Sequence, residues 1–221
     1  MRQDKTTALQ LRKQGKSYRE IYHRLGVPKS TLSGWFSSVD WSKEIKNKLA
    51  RESIEISRKR IILMNRAREL MWERWRESAR QEARKDYQHL KNNPLFLSAI
   101  MLYWAEGDSK MKNCSVRLTN TDPEMIRIFT HFLRKICGVP NERMRVYIIL
   151  YPDLNEKTCR NYWSTISGIP YNQFIKTQFI KGRHPTKRLA YGICMINVGS
   201  RQLKEKIYVW LKLFQTDLLR V

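Results

Sequence analysis

The sequence predicts an α+β protein in which an all-helical part comes first. Three observations carry this. Residues 42–92 contain neither Gly nor Pro and are dense in Arg, Lys, Glu and Ala, the composition of a long helix. Ahead of them, apolar residues recur at helical spacing in short runs punctuated by Gly15 and by Leu25-Gly26-Val27. After them, SVRLTNT, RMRVYIILY, QFIKTQFI and LAYGICMINV read as strands by alternation and β-branched content, with capped helical patterns between the first three. The expected organisation is an all-α segment at 1–41, a long helical linker at 42–92 and a compact α+β domain at 93–221.

In the first segment, Ala8 and Leu11, then Ile21 and Leu25, fall at helical spacing, and Gly15 closes the first helix. Ser17 with Glu20 three residues on is a capping box for the second helix. Leu25-Gly26-Val27 makes a turn, and Pro28 opens a third helix through Leu32 and Trp35. Two short helices, a tight glycine turn and a third helix rich in small polar residues form a helix-turn-helix pattern. The segment resembles the helix-turn-helix of serine resolvases and many small regulators, although no resolvase-type catalytic segment is expected with it. The resemblance implies that the third helix enters the major groove. Lys29, Ser30, Thr31 and Ser33 would then face base edges or phosphates, with Lys16 and Arg19 on the DNA backbone.

In the second segment, Leu49, Ile56, Leu63 and Leu70 recur at sevens, and Trp75, Ala79, Ala83 and Tyr87 continue at fours. The partner positions of that heptad include Glu52 and Arg60, so a strict coiled coil is only partly supported. A long helix is expected, continuous or broken near 58–64.

The third segment opens with Asn93-Pro94, a helix cap and first position, and then LSAIMLYWAEGD (97–108). A helix C-terminus carries partial negative charge, yet this one ends in Glu106, Gly107 and Asp108. Thr121 or Asp122 caps the next helix, with Pro123 in its first turn, and Cys137-Gly138-Val139-Pro140 stops it. NEKTCRNYWSTISGIP is a helix ending at Gly168, the basic loop KGRHPTKR joins the last two strands, and Ser200 caps a final amphipathic helix.

This segment resembles a single-copy LAGLIDADG domain, the fold of homing endonucleases and of WhiA-type bacterial regulators. AIMLYWAEG (99–107) overlies the motif, with Glu106 on its final acid and Gly107 on its closing glycine. LTNTDPEMIRIF, YWSTISGIPYNQFIKT and LAYGICMINVGSRQL resemble bacterial and phage proteins that join a helix-turn-helix to one such unit. The resemblance implies helices on an antiparallel sheet whose open face reads DNA. It also implies a homodimer in which two motif helices pair, so that two acids hold a divalent metal, Mg²⁺, near Glu106 and Gly107. Candidate DNA readers are Arg117, Thr119, Arg145, Tyr147, Lys176, Gln178, Lys181, Arg183, Lys187 and Arg188, with His184 as a phosphate contact or surface residue. Glu106 and Lys176 are the candidate catalytic residues. Met101 and Trp104 depart from the motif's third-position glycine and sixth-position acid.

Charge bounds the partner. Lys and Arg number 43 against 20 Asp and Glu, a net charge of +23, which points to a polyanion, nucleic acid first. Seven Trp and 42% hydrophobic residues call for a packed core rather than a basic tail. No apolar stretch is long enough for a membrane span, and MRQDKTTALQLRKQG lacks a signal-peptide core. Cys114, Cys137, Cys159 and Cys194 are scattered, which fits reduced thiols in a cytoplasmic, nucleoid-associated protein rather than a zinc site or disulfide frame. The expectation is a sequence-specific binder of double-stranded DNA acting as a regulator. The alternative is a metal-dependent, site-specific endonuclease; an accessory factor for mobile-element recombination or replication is a third possibility.

Overall fold

A computed structural model describes residues 4–180 and 189–220. The chain is a mixed α+β protein that divides into two units, Met1–Trp72 and Glu73–Val221. The first unit holds α1 (Asp4–Lys13), α2 (Tyr18–Leu25), α3 (Lys29–Phe36) and the start of α4 (Asp40–Leu90). Local chemistry sets these boundaries. Ser17 Oγ accepts from the Glu20 amide while the Glu20 carboxylate accepts from the Ser17 amide, satisfying two orphan donors at the start of α2. Gly26 ends α2 in the left-handed region at φ 69°, where a Cβ would be strained. Ala8, Ile21, Val27, Leu32 and Phe36 form the core.

Arg12 is buried beside this core, and three of its nitrogens are used. Nε donates to Ser42 Oγ (3.1 Å), Nη2 to the Ser42 carbonyl (2.8 Å) and Nη1 to the Lys16 carbonyl (2.8 Å). The guanidinium also lies 4.6 Å over the Tyr18 ring. It thereby ties α1 to the first turn of α4. Burial holds its pKa below the usual arginine value, partly offset by Tyr18.

α4 runs unbroken, so the break considered near 58–64 does not occur. Ile61 and Ile62 there each cost a helix only a few tenths of a kcal/mol, and no Pro removes an amide.

The second unit holds the end of α4, then α5 (Pro94–Glu106), β1 (Val116–Asn120), α6 (Pro123–Lys135), β2 (Met144–Leu150), α7 (Glu156–Ser167), β3 (Gln178–Phe179), β4 (Ile193–Val198) and α8 (Arg201–Leu218). Asn93, Asp122, Asn155 and Ser200 cap α5, α6, α7 and α8 through their side chains. Strand order is β1-β4-β2-β3. β4 pairs antiparallel with β1 and with β2, but β3 runs parallel to β2. The expected antiparallel sheet is therefore mixed. The reason is the α7 crossover, which returns the chain to the same end of the sheet before β3 begins.

The strand expected over QFIKTQFI shrinks to two residues. A short 3-10 turn takes Tyr171–Gln173, and the Phe174 and Ile175 carbonyls accept from Arg160 of α7 (3.0 and 3.2 Å). A side chain from elsewhere thus replaces ladder bonds. α5, α6 and α8 pack against β1, and α6 also packs against β4. The core is centred on Phe96, Phe129, Phe132, Trp163 and Trp210.

Candidate nucleic-acid interface

Within the first unit, α3 buries Leu32 and Phe36. Away from these two, Lys29, Ser30, Gly34 and Ser37 are exposed, whereas Ser33 is half-buried at the edge of a cleft. Thr31 is half-buried on the flank near Trp35, so it does not share that face. Arg19 is exposed on α2, and Lys16 is half-buried in an ion pair with Glu20 at 3.4 Å. Ser17, Tyr18, Ser33, Ser37, Lys43 and Lys46 line an open cleft of about 510 Å³ beside this face. Ser37, Lys43 and Lys46 escaped the sequence reading because they lie in the turn and in the linker helix, beyond the motif's own residues.

In the second unit, alternation divides the sheet cleanly. Val116, Leu118, Met144, Val146, Ile148, Cys194, Ile196 and Val198 are buried in the core. The opposite face carries two cross-strand rows, Arg117–Asn197–Arg145 and Thr119–Met195–Tyr147, read from strand register. Both arginines are exposed, and the other four side chains are half-buried. Four of the expected readers thus share one surface. Gln178 extends it, in register with Ile149, which pairs with Ile193.

Asn197 was missed, though an Asn in the otherwise apolar run ICMINV is a signal. Its Oδ1 is buried and takes no hydrogen bond among the described residues. Leaving such an acceptor unpaired costs about 1–3 kcal/mol, which marks Asn197 as a polar residue that the fold itself does not use. Arg117 Nε donates to Ser115 Oγ (2.9 Å), and Arg145 Nη1 donates to the carbonyls of Glu142 (2.7 Å) and Met144 (2.8 Å). These bonds hold the guanidinium stems at the sheet. Lys181, Arg183, His184, Lys187 and Arg188 lie outside the described residues.

The two acids after α5 part company. Asp108 is committed to the fold. Its carboxylate accepts from the Lys110 amide (3.0 Å) and Asn113 Nδ2 (2.7 Å), and its own amide donates to the Arg117 carbonyl (3.0 Å). Burial raises its pKa, but the Asn113 and Lys110 hydrogen bonds and the Lys204 and Arg117 charges outweigh that and hold it low. Buried Lys204 of α8 donates to Tyr103 Oη (2.9 Å) and to the Asp108 carbonyl, and Tyr103 Oη donates to that carbonyl at 2.8 Å. An ammonium thus sits at the negative end of α5 and offsets both the helix dipole and Asp108. Burial depresses its own pKa, against the pull of Asp108.

Gly107 has an ordinary φ of −84°. It is needed for space, because a Cβ would lie 2.5 Å from Tyr103 Cδ2 and closer to the Tyr103 carbonyl. The close approach lets Gly107 pair with Leu118 of β1.

Glu106 is exposed, with no hydrogen bond or ion pair to any described residue. Lys176 is exposed just ahead of β3. Gly107 flanks β1, so β1, β4 and β2 stand between the two candidate catalytic residues. Four inter-strand spacings make that about 19 Å, and one chain does not bring Glu106 and Lys176 together. No group of three or more His, Cys, Asp or Glu side chains suited to a metal occurs among the described residues. With Asp108 engaged, one chain offers a divalent ion a single free carboxylate at this place. The residues of one copy therefore do not fit the metal, and no chemical step is derived through it.

No helix among the described residues is long and apolar enough to cross a membrane. No family model matches the chain, and neither does any curated protein or solved structure with which it was compared.

Proposed function

We propose that the chain is a sequence-specific double-stranded DNA-binding protein, a regulator of helix-turn-helix plus LAGLIDADG-like type, acting as a homodimer on the nucleoid. The observation that carries this is the sheet face opposite the core, where the exposed Arg117 and Arg145 flank Asn197 in one cross-strand row. Arginine pairs with guanine edges or phosphates, and an Asn amide with adenine. Lys29, Ser30 and Ser33 on α3 form the second reading surface, and the net charge of +23 supplies the long-range attraction. Support for a symmetric pair comes from α5, which exposes Met101 and Trp104 beside Ala105 and Ser98. An isologous dimer reads a pseudo-palindrome.

The test is selection of bound duplexes from a random library, then anisotropy titrations across a salt series. Affinity is expected to fall steeply with salt. Arg117→Ala and Arg145→Ala should each cost about 1–3 kcal/mol and lower the salt slope by roughly one where the contact is to phosphate. Failure to retain any duplex at about 0.1 M salt sinks the proposal.

Glu106, exposed and unpaired among the described residues, favours a second reading, a homing-type endonuclease in which two copies each bring one carboxylate to Mg²⁺. Cleavage of the selected site that requires Mg²⁺ and disappears in Glu106→Gln, with binding intact, would establish it. An uncut site under tight binding excludes it.

A further inference from the structure

In residues 51–75 of α4 every side chain is exposed. Ile54, Ile61, Ile62, Leu63, Met64, Leu70 and Met71 each leave 56–67% of their surface in solvent. Apolar side chains on this scale are not left in water by a helix that works alone.

Their arrangement is specific. Ile54, Ser57, Ile61, Met64, Arg68 and Met71 follow one another at intervals of 3, 4, 3, 4 and 3, a continuous coiled-coil seam. A second line, Ile56, Arg60, Leu63, Ala67 and Leu70, runs at 4, 3, 4 and 3, but it places a small Ala at one core position and sets Arg60 among apolar residues with no polar position to face it.

We propose that this seam is a self-association site, where α4 of a second copy of the chain packs antiparallel. Polarity decides the partner and the direction. A parallel pair in register stacks Arg68 on Arg68 and wastes Ser57 on Ser57. Turned antiparallel about the midpoint between Ile62 and Leu63, the seam complements itself. Ile61 meets Met64, Ile54 meets Met71, and Ser57 lies opposite Arg68, whose donors find a hydroxyl instead of a like charge. Flanking contacts are Arg58 with Asn65 and Arg60 with Ala67, so no like charges are forced together.

The area is of the right order. Four large apolar side chains at roughly 100 Å² each, with the stems of Arg58, Arg60 and Arg68, bring each copy to roughly 600 Å². Each side of a standard stable pair buries about 800 Å². This contact is separate from the α5 pairing proposed above and needs no DNA.

The test uses the full chain without nucleic acid, carrying Cys114→Ser to remove the exposed native thiol. Ser57→Cys and Arg68→Cys are made in separate chains and oxidised alone and mixed. The mixture should give a covalent dimer at least about 10-fold above either chain alone, as expected from Cβ atoms facing within disulfide reach. Ile61→Lys in both chains should abolish it while circular dichroism shows unchanged helix. No covalent dimer, a dimer formed by each variant with itself, or a cross-link that survives Ile61→Lys overturns the proposal.

Discussion

The two parts of α4 are alike in composition and opposite in surroundings. Residues 51–75 are exposed throughout, apolar ones included, whereas from residue 76 onward Ala79, Ala83 and Tyr87 are buried. Both parts lack Gly and Pro and are rich in Arg and Glu. What differs is the neighbour. In the second part, small residues at fours let α8 come close, so that Trp210 Nε1 donates to the Ala83 carbonyl at 3.0 Å and Tyr87 Oη donates to Asp217 at 2.8 Å. Arg80 reaches the fully buried Glu205 at 2.8 Å, and Arg201 binds the same carboxylate at 2.7 Å. Helical periodicity therefore tells which stripe needs covering. Whether the same chain covers it depends on residues a hundred or more positions away.

Opposite responses to one substitution give the largest test of this contrast. Ala83→Glu places an unpaired carboxylate against Trp210, with an expected cost of about 4 kcal/mol or outright loss of the second unit. Ala67→Glu, in the exposed part, should stay within about 0.5 kcal/mol. Amide exchange read in α6 and α8 measures the first, and exchange in α2 and α3 the second. Equal effects would erase the distinction.

Ion pairs should rank the same way. Glu205→Gln leaves Arg80 and Arg201 short of their shared charge and should cost about 3 kcal/mol. Asp40→Asn, which breaks the exposed 2.8 Å pair with Lys43, should cost less than about 0.5 kcal/mol. Urea titrations followed by the same exchange probes compare them.

Alkaline pH sharpens the contrast further. Burial, then Asp217, pushes the Tyr87 phenol above its ordinary value of 10.0, and burial, then Asp108, does the same for Tyr103. Above pH 10 the unfolded chain releases these protons and the folded chain keeps them. Unfolding is then favoured, so stability present below pH 10 is lost as pH rises. The second unit should weaken from about pH 10 upward, and Tyr87→Phe should flatten the fall. A stability profile level to pH 11 would contradict the buried-phenol picture.

What was legible beforehand followed from local chemistry. Ser17 with Glu20, Gly26, Asn93-Pro94 and Asp122 fixed helix ends within a few residues of themselves, and the structure places them there. Alternation marked β1 and β2 as strands, and their register places Arg117, Thr119, Arg145 and Tyr147 on one face. What was not legible depended on distant partners. The parallel β3 depends on the α7 crossover and on Arg160 capturing two carbonyls. Asp108 read only as a second acid at an unfavourable helix end, but Asn113 and Lys204 make it part of a turn. Lys204 itself gave no sign, since lysine at a helical position reads as solvent-facing until Tyr103 and Asp108 are seen against it.

The smallest expected effect is also the most direct check on the exposed stretch. Ile62 is 57% exposed and lies one position off the proposed seam. Ile62→Gln removes a methyl-rich surface from water and swaps a β-branched residue for a better helix former, a gain of a few tenths of a kcal/mol at most. Exchange protection in both units and cross-linking between Ser57→Cys and Arg68→Cys chains should all stay as they were. A loss of more than about 1 kcal/mol would mean that this side of α4 is buried against part of its own chain. The contrast between the two parts of the helix would then vanish.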